Sequence, residues 1–599
     1  MTACFHVLRR FTVMPSRKSS RASMVKTIAI RCVWKDAIQT LNTLQSNAET
    51  LAKIASTRDS RRHLNIPHMI NYLKRCDIEV PDLEKLSVIH ISGTKGKGST
   101  SAFCESILRH HGYKTGMFSS PHLVTVNERF RLNGRPVAKD LFSQYFWEVY
   151  NKLDATKYQV KGDPDAREMP AYFSFLTVMA CHMFLEEDVD VAIFEVGIGG
   201  EYDSTNFLQS PVVCGVTSLG LDHTSVLGDT IDKIAWQKAG IFKRNVPAVT
   251  VPQPAAAMKV LLNRTKEKGA SLYVTPSLDS YTSGREPVHL GIAGNMQQFN
   301  ATLAMQLCRI WMDNHKKDLS KRKWICDQSE LHEWEKIPKL DSTVLTEEMR
   351  TGLSKCYWPG RNQILSRPGV TYYMDGAHTI ESIQQQCMEW FQQASKKEAS
   401  KHKGRVCRIL VFNATRDRNS TALLSILKPL NFDAAVFCPN LAFTGNVGNA
   451  PDQINRTVTK EKQLNYSLVN KEIWDHINAH SKDVPPPSSH NSTSDNPELI
   501  DSALRNGALN SDQIDLNSNN CNSKDLPSEG SAESHAFPCI LQALYWAGQG
   551  RDTTVKLPAD ADIPPVSDKL QGSAHIQILV TGSLHLVGGA LGLLNPELW

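Results

Sequence analysis

The first half of the chain alternates short runs of apolar, mostly β-branched residues with longer stretches of helical periodicity. The runs at 88–91, 189–196 and 212–219 predict strands, and the stretches at 99–111 and 172–186 predict helices. Continuous apolar strands separated by helices are typical of a parallel sheet that is covered on both faces. The pattern therefore predicts an α/β fold for this part of the 599-residue chain.

A second series of the same kind follows a charged, tryptophan-containing connector at 313–345. Its predicted strands lie at 370–374, 408–412, 434–438 and 576–580, with helices between them. We therefore expect two α/β domains, a larger one over 36–345 and a smaller, Rossmann-like one over 346–599.

The second series is interrupted by a polar segment. No aromatic residue occurs between Trp474 and Phe537, and Ser, Asn, Asp and Pro dominate. Such a composition cannot bury enough apolar surface to offset the conformational entropy of the chain. We predict a disordered surface insertion over about 480–535.

One long segment, 570–596, contains no Asp, Glu, Lys or Arg, which raises the question of a membrane helix. Polar side chains and the glycines at 582, 588, 589 and 592 interrupt it, and the apolar run at 576–580 is followed by Thr-Gly-Ser. A buried strand, a turn and a helix fit this order better, so we expect a soluble protein without a membrane-spanning segment.

Basic residues are concentrated at the N-terminus. Residues 1–35 contain eight Lys or Arg and no Asp or Glu, with apolar residues interleaved, which is typical of a mitochondrial transit peptide. A disordered basic tail is the alternative. Translation from Met14 or Met24 would give a leaderless cytoplasmic form beside a form in the mitochondrial matrix.

The rest of the chain is not basic. Removing those eight residues from the 67 Lys and Arg leaves 59, against 61 Asp and Glu. We therefore expect no nucleic-acid partner. The fourteen cysteines form no CxxC pair, and Cys181, Cys214, Cys407 and Cys438 lie in apolar runs. These features predict buried thiols in a reducing compartment, without a zinc site.

A glycine-rich turn, Gly93-Thr-Lys-Gly-Lys-Gly-Ser99, follows the first predicted strand and leads into a predicted helix. Its glycines let the backbone curl around a phosphate, the helix N-terminus adds about half a positive charge, and Lys97 can reach the terminal phosphates. The order departs from the strict P-loop pattern, and a glycine-rich turn with solvated lysines is the alternative. The strand before it and the helix after it favour phosphate binding by Gly96, Lys97, Gly98 and Ser99.

Glu195 ends the buried strand predicted for the run Asp190-Val-Ala-Ile-Phe-Glu195 and is followed by three glycines within five residues. A carboxylate at the end of a buried strand is where an α/β enzyme holds Mg²⁺ beside bound phosphates; a carboxylate capping the next turn is the alternative. By themselves, His223 is more typical of a structural histidine and Lys238, in a predicted helix, of a solvated lysine. Asp375 follows a strand end and could cap a helix, and Arg361 could form a hinge salt bridge.

Further motifs follow in order along the chain: Phe118-Ser-Ser-Pro-His-Leu123, Glu195-Val-Gly-Ile-Gly-Gly200 with Asp203-Ser-Thr-Asn206, Leu221-Asp-His223, Lys238-Ala-Gly-Ile241, Gln297-x-x-Asn300-Ala, Trp358-Pro-Gly-Arg361 and Asp375-Gly-Ala-His378. Together with the glycine-rich turn, this series resembles the Mur ligase and folylpolyglutamate synthetase superfamily over about residues 60–380. The resemblance implies a P-loop-type ATPase domain with a parallel sheet, followed by the smaller Rossmann-like domain.

The resemblance also implies roles for single residues. Mg²⁺ would be held by Glu195 with Ser120 and His223. Lys97, Lys238 and His378 would be catalytic, with Lys238 carbamylated to serve as an oxygen ligand. ATP would be bound by the residues of the glycine-rich turn and by Gln297, Asn300, Arg361 and Asp375.

The implied reaction is ATP-dependent addition of L-glutamate to the γ-carboxylate of a reduced folate through an acyl phosphate. Closure of the two domains would keep water from that intermediate. Three alternatives stay open: a dihydrofolate synthase or bifunctional enzyme of the same fold, an inactive nucleotide-binding regulator, and an interaction protein that acts through the insertion. By resemblance we also expect K⁺ as a further cofactor, a monomer, and peripheral association with the mitochondrial inner membrane.

Overall fold

In the computed structural model of the protein, the described residues form two β-sheets, each with helices on both faces. The residues that the structure describes are 33–45, 62–159, 168–281, 286–314, 324–326, 328, 330–342, 344–414, 418–444, 460–479, 533–558 and 561–598. We call the part up to residue 354, which builds the first sheet, the N-terminal unit, and the remainder, which builds the second sheet, the C-terminal unit.

The first sheet has eight strands in the order β4-β3-β2-β5-β1-β6-β7-β8. The strands are β1 Val88–Ser92, β2 Thr115–Phe118, β3 Phe130–Leu132, β4 Arg135–Pro136, β5 Val191–Glu195, β6 Val213–Val216, β7 Pro247–Thr250 and β8 Ser271–Val274. Alternate residues of the central strands pack into cores on opposite faces. In β5, Ala192 and Phe194 face one core while Val191 and Ile193 face the other.

The helices of the N-terminal unit cover both faces of this sheet. They are 33–43, Asn65–Arg75, Lys97–His110, Lys139–Ala155, Tyr172–Glu186, Thr224–Leu227, Ile231–Lys238, Ala255–Lys268, Gln297–Asn314 and Glu347–Ser354. The helix Tyr172–Glu186 lies inside the core, where eleven of its side chains are buried. This position explains why the helix is apolar nearly all round.

The second sheet has six strands in the order β13-β12-β11-β14-β10-β9. The strands are β9 Gln363–Arg367, β10 Val370–Met374, β11 Val406–Phe412, β12 Ala434–Phe437, β13 Glu533–Ala536 and β14 His575–Thr581. The helices are Ile380–Ser382, which continues through a π-helical turn at Ile383–Met388 into Glu389–Ala399, and then Ser420–Leu427, Lys460–Ala479, Ile540–Gly548, Asp568–Gln571 and Leu584–Leu594.

The predicted α/β fold is confirmed, with a correction at two edges where the sheets are not parallel. β3 pairs antiparallel with β2 and β4, and β9 pairs antiparallel with β10. Asn133 and Gly134, both at positive φ, form a two-residue turn between β3 and β4, and Gly369 lies in the equally short turn before β10. A connection of two residues can join only antiparallel neighbours.

The uncharged segment 570–596 forms strand β14, a turn and the helix Leu584–Leu594, so the strand-turn-helix interpretation is confirmed. No helix among the described residues combines the length and the apolarity that crossing a membrane requires. The four cysteines predicted to be buried thiols are buried and free.

Two sequence predictions lie wholly or mostly outside the described residues: the leader, of which only 33–35 is described, and the insertion, of which 533–535 is described. Those last three residues correct the predicted boundary, because they belong to β13, which pairs in parallel with β12. An edge strand tolerates such polar residues because only one of its sides is paired.

The strand order fixes the position of the candidate site. β1 lies between β5 and β6, and the chain leaves β1 toward β2 on one side but later returns to β6 on the other. In open α/β sheets, ligands bind beyond the carboxyl ends of strands at such a switch point. The glycine-rich turn after β1 and Glu195 at the end of β5 both lie there.

Candidate active site

The glycine-rich turn joins β1 to the helix Lys97–His110. Its geometry requires glycine at two positions. Gly93 has φ 138° and a Cβ there would lie 1.9 Å from Oγ1 of Thr217, while Gly96, at the helix N-cap, has φ 94° and faces Asn300. The backbone N–H groups of Thr94 and Lys95 donate to the carbonyl of Ser218. The first turn of the helix, whose N–H groups lack intrahelical partners, is therefore the part that can face a phosphate.

Glu195 lies against this first turn. Its side chain is buried, and its Oε2 accepts a hydrogen bond from the backbone N–H of Ser120 at 3.1 Å. A Cβ on Gly98 would lie 3.5 Å from the same oxygen. Burial raises the pKa of the Glu195 carboxyl, while the charges of Lys97 and Arg361 act in the opposite direction. A cation beside this carboxylate would stabilise its ionised form.

The residues at this position fit a magnesium site. Glu195 offers a buried carboxylate and Ser120 a hydroxyl, the hard oxygen donors that Mg²⁺ prefers. His223 is exposed and has φ 52° at the start of the short helix Thr224–Leu227. Partial desolvation of the ring by the surrounding protein still lowers the pKa of His223, although the charge of Asp222 raises it, and this favours the neutral imidazole that a metal ligand must be.

Lys238 ends the helix Ile231–Lys238 and is buried. The hydroxyl of Ser92, the last residue of β1, donates to the Lys238 carbonyl at 2.8 Å. This hydrogen bond connects the helix to the strand that precedes the glycine-rich turn. Burial holds the pKa of the Lys238 ammonium well below its usual range, and the charge of Lys97 adds to this effect. Lys97 thus acts electrostatically on Lys238, Glu195 and His223, so all of these side chains share one region.

The C-terminal unit contributes residues from the end of β10. Asp375 is buried and accepts hydrogen bonds from the backbone N–H groups of Asn362 and Ala377, both at 2.9 Å. Burial raises the pKa of its carboxyl, against the influence of Arg361. A Cβ on Gly376 would lie 2.9 Å from Nη1 of Arg361, so the guanidinium lies directly over this turn.

His378 faces the N-terminal unit. Its Nδ1 lies 2.7 Å from the carbonyl oxygen of Gly376, and since a carbonyl only accepts, Nδ1 carries the proton. Nε2 is then an acceptor, 3.4 Å from the ammonium of Lys95 in the glycine-rich turn. Burial lowers the pKa of His378 to about 3, with Lys95 as the next cause, so the ring is neutral at physiological pH.

Gln297 and Asn300 lie on the first turn of the helix Gln297–Asn314, and both are buried. The side-chain amide of Asn300 donates to Oε1 of Gln297 at 2.9 Å, and its Oδ1 faces Gly96 and the hydroxyl of Thr100. The pair therefore supports the glycine-rich turn from the side. A nucleotide contact by either residue stays a prediction.

Four residues that the sequence reasoning did not assign also line this region: Lys95, Asp222, Trp358 and Arg418. A Cβ on Gly98 would lie 3.2 Å from Nε1 of Trp358, whose ring lies beneath the guanidinium of Arg131 at 4.7 Å. Asp222 bonds both Lys95 and Arg418. Lys95, Asp222 and Trp358 lie in the motifs quoted above. Arg418 follows the carboxyl end of the strand β11, and this position is the one sequence signal that could have indicated it as a site residue.

The chain was compared with protein-family models, with curated proteins and with solved structures. No protein-family model matches the chain. The chain is 43% identical to a protein of Bos taurus named mitochondrial folylpolyglutamate synthase, over 94% of this chain and 93% of that protein. It is 44% identical to the protein of the same name from Homo sapiens, over 94% and 92%. Among solved structures, the Mycobacterium tuberculosis folylpolyglutamate synthase complexed with ADP matches with a TM-score of 0.59 and 19% identity, covering 94% of this chain and 99% of that one. At that identity the structural match supports the fold.

Proposed function

The chain belongs to the folylpolyglutamate synthase family, and on this premise we propose that it is an ATP-dependent ligase that adds L-glutamate to the γ-carboxylate of the glutamate tail of reduced folates. The products are the folate extended by one glutamate, ADP and phosphate. The observation that carries the proposal is the buried carboxylate of Glu195 against the first turn of the helix that begins at Lys97. A nucleotide triphosphate and its cation fit that place.

In the first step the folate γ-carboxylate attacks the γ-phosphorus of ATP, giving an acyl phosphate and ADP. The N–H groups after Gly96, with Lys97, Gly98 and Ser99, hold the phosphate oxygens. Lys97 and, from the C-terminal unit, Arg361 balance the charge that develops during transfer. Mg²⁺ held by Glu195, Ser120 and His223 would neutralise the phosphate oxygens.

In the second step the amine of L-glutamate attacks the acyl carbon and phosphate leaves. His378, neutral and with Nε2 as an acceptor, can receive a hydrogen bond from a donor in the cleft. Asp375 orders the turn that carries His378, because its carboxylate accepts hydrogen bonds from the backbone N–H of Ala377 within that turn and of Asn362 just before β9. Water must be excluded, since hydrolysis of the acyl phosphate would waste ATP. Residues of both units border the cleft, so their closure would exclude it.

The bovine and human relatives are named as mitochondrial proteins, and we assign this chain to mitochondria on that basis. The cytoplasmic form from Met14 or Met24, stimulation by K⁺, a monomeric state and contact with the inner membrane are proposals that follow from the leader and the family resemblance alone. Mass spectrometry of N-termini from separated compartments tests the first of these.

The reaction is tested by incubating the full chain with ATP, Mg²⁺, tetrahydrofolate and labelled L-glutamate, and measuring the mass of the folate product. Successive additions of one glutamyl residue are expected. A product from dihydropteroate but none from tetrahydrofolate would contradict the proposal and favour dihydrofolate synthase. ATP binding without either product would point to a nucleotide-binding regulator instead.

A further inference from the structure

Asp222 lies at the boundary between the two units, and both of its carboxylate oxygens are used. Oδ2 bonds the ammonium of Lys95 at 2.8 Å, and Oδ1 bonds Nη1 of Arg418 at 3.0 Å. Oδ1 also accepts the backbone N–H of His223 at 2.9 Å, and Oδ2 lies 3.9 Å from Nε2 of His378. The Asp222 side chain is 6% exposed, so these charges interact with little screening by solvent.

The partners of Asp222 come from different parts of the fold. Lys95 belongs to the glycine-rich turn after β1, and Asp222 itself follows β6. Arg418 follows β11 in the C-terminal unit and immediately precedes Asn419, the N-cap of the helix Ser420–Leu427. One carboxylate therefore connects the turn that faces the phosphates with the neighbouring sheet.

The charges in this network depend on one another. The ammonium of Lys95 and the guanidinium of Arg418 both bond the buried Asp222 carboxylate, and two such cations stabilise its ionised form. Without that anion, Lys95 and Arg418 would be two cations facing each other across the cleft. Lys95 is also directed toward Asp222 and His378. Lys97, two residues later, instead acts on Glu195, His223 and Lys238.

We propose that Arg418 is a positioning residue of the ligase: through Asp222 it couples the seating of the C-terminal unit to the position of Lys95 in the glycine-rich turn. When the units close, Arg418 reaches Oδ1, Asp222 is held in place, and its Oδ2 fixes Lys95 beside His378. When they open, the carboxylate loses one of its two cations and the turn loses this support. The inference rests on the proposed function, since it assigns a role in that reaction.

The structure offers a matched control. Arg405 also lies in the C-terminal unit and bonds a carboxylate, with its Nη2 2.7 Å from Asp433, but both residues belong to the same sheet region. Arg405→Gln removes an arginine–aspartate pair of the same chemistry that does not cross between the units. Its ligase activity is expected to stay within about twofold of wild type, as for an exposed ion pair.

Arg418→Gln in the full chain is expected to lower kcat at least tenfold while the Kd for ATP, measured by calorimetry, changes less than threefold. Added guanidinium ion should restore part of the kcat of Arg418→Gly and have no effect on Arg405→Gly. Arg418→Lys should recover activity in part, because an ammonium supplies the charge without the planar guanidinium geometry.

A mutant cycle tests the route through Asp222. When Asp222 is present, the loss of kcat caused by Arg418→Gln should differ between the wild-type background and Lys95→Met. In the Asp222→Asn background this difference should vanish. If Asp222→Asn does not fold, guanidinium rescue decides the question without it. Equal loss of ATP affinity and kcat would overturn the proposal, because Arg418 would then contact substrate directly, and so would unchanged kinetics in Arg418→Gln.

The positioning role of Arg418 and the ligase activity are tested separately. An active wild type with a silent Arg418→Gln variant rejects the positioning role and leaves the ligase assignment intact. A wild type that binds ATP without forming product rejects the ligase assignment. Small-angle scattering tests the coupling between the two units. ATP-induced compaction that is lost in Arg418→Gln but kept in Arg405→Gln supports the coupling. Compaction in both variants rejects it.

Discussion

A Cβ atom placed on Gly96 would lie 2.0 Å from Oδ1 of Asn300, an approach that no real side chain tolerates. Gly96 comes from the turn after β1, and Asn300 from a helix about two hundred residues later in the chain. Asn300 is itself held by Gln297, so it cannot move aside without breaking that hydrogen bond. The shape of the glycine-rich turn is thus set jointly by its own glycines and by a distant helix.

Gly96→Ala is therefore expected to lower kcat/KM for ATP by about a hundredfold, the effect of displacing a positioned group by about 1 Å. Steady-state kinetics with ATP varied checks this. Gly112→Ala is the matched control: Gly112 also has positive φ, 87°, but nothing lies within 4 Å of the place that a Cβ would take there. It should lose about 1–2 kcal/mol of stability and keep its kinetics. Equal kinetic losses in both variants would contradict the role given to Asn300.

Glu195→Gln removes the negative charge and keeps the shape of the side chain. Because the buried carboxylate is the main oxygen donor of the candidate magnesium site, we expect the affinity for Mg²⁺ in the presence of ATP to fall by at least about 10-fold, the loss that removal of even an outer-shell partner causes. Titration of ligase activity with Mg²⁺ measures this. Glu105→Gln serves as control, since Glu105 is equally buried but binds Arg109 and Thr115. A magnesium titration that is the same in wild type and Glu195→Gln would refute the assignment.

His90 should make the protein less stable in mild acid. It lies in β1, fully buried, with Nε2 2.9 Å from the hydroxyl of Thr205, and burial lowers its pKa to about 3 from 6.5. Between these values the unfolded chain binds the proton and the folded chain does not, so stability falls as the pH decreases from about 6.5 toward 3, by up to about 1.4 kcal/mol per pH unit.

The Tm of wild type and His90→Gln, measured at pH 7.5 and pH 5, isolates this contribution from that of other groups such as His378. Glutamine can keep the contact with Thr205 and does not titrate. We expect the acid-induced drop in Tm to be smaller in the variant. An equal drop in both proteins would show that His90 is not responsible.

Lys238 should react with carbon dioxide. A carbamate forms from the neutral amine, and burial favours that form by lowering the pKa of Lys238 well below its usual range. With ¹³C-labelled bicarbonate, a carbamate carbon signal is expected in wild type and absent in Lys238→Met, and acetate should restore part of the lost activity. Lys243→Met is the control: Lys243 donates to the carbonyl of Asn206, and its replacement should leave the Lys238 carbamate signal in place. No carbamate signal in wild type would exclude the modification.

Residues 480–532 should be dispensable for the ligase reaction. The helix Lys460–Ala479 before the segment and β13 after it contact each other directly, with the hydroxyl of Ser534 hydrogen-bonded to Asp475. Both ends are therefore fixed without the segment, and a Gly/Ser linker should close the gap at a modest entropic cost. Activity and Tm close to those of wild type are expected. A large loss of activity with unchanged Tm would assign the segment a part in the reaction.

Much of the fold could be predicted because its signals are local. The buried parallel strands, such as β10 at Val370–Met374, were predicted from continuous apolar runs. The antiparallel edges were missed although Asn133-Gly134 is a strong signal for a hairpin turn. β13 had no such signal, because Glu533, Ser534 and His535 are polar and form a strand only by pairing with β12.

Candidate site residues could be named from the sequence where they lie in short motifs, as with Lys97, Glu195 and Asp375, and their roles stay predictions. The links between these motifs were not predicted. Trp358 was part of a quoted motif, yet its contact with Gly98 appears only in the folded chain. Arg418 was not predicted, since a single arginine in a loop gives no indication of a role until its partner Asp222 is known.

The sequence by itself determined the two series of buried strands, the glycine-rich turn and the carboxylates at strand ends, because each is encoded by residues adjacent in the chain. Only the tertiary structure decided which charges meet. Asp222 and Arg418 are 196 positions apart, and their contact depends on the order of strands in two sheets and on how the sheets pack. A carboxylate selects its partners by distance in space, and at such separations the sequence contains no local signal of that distance.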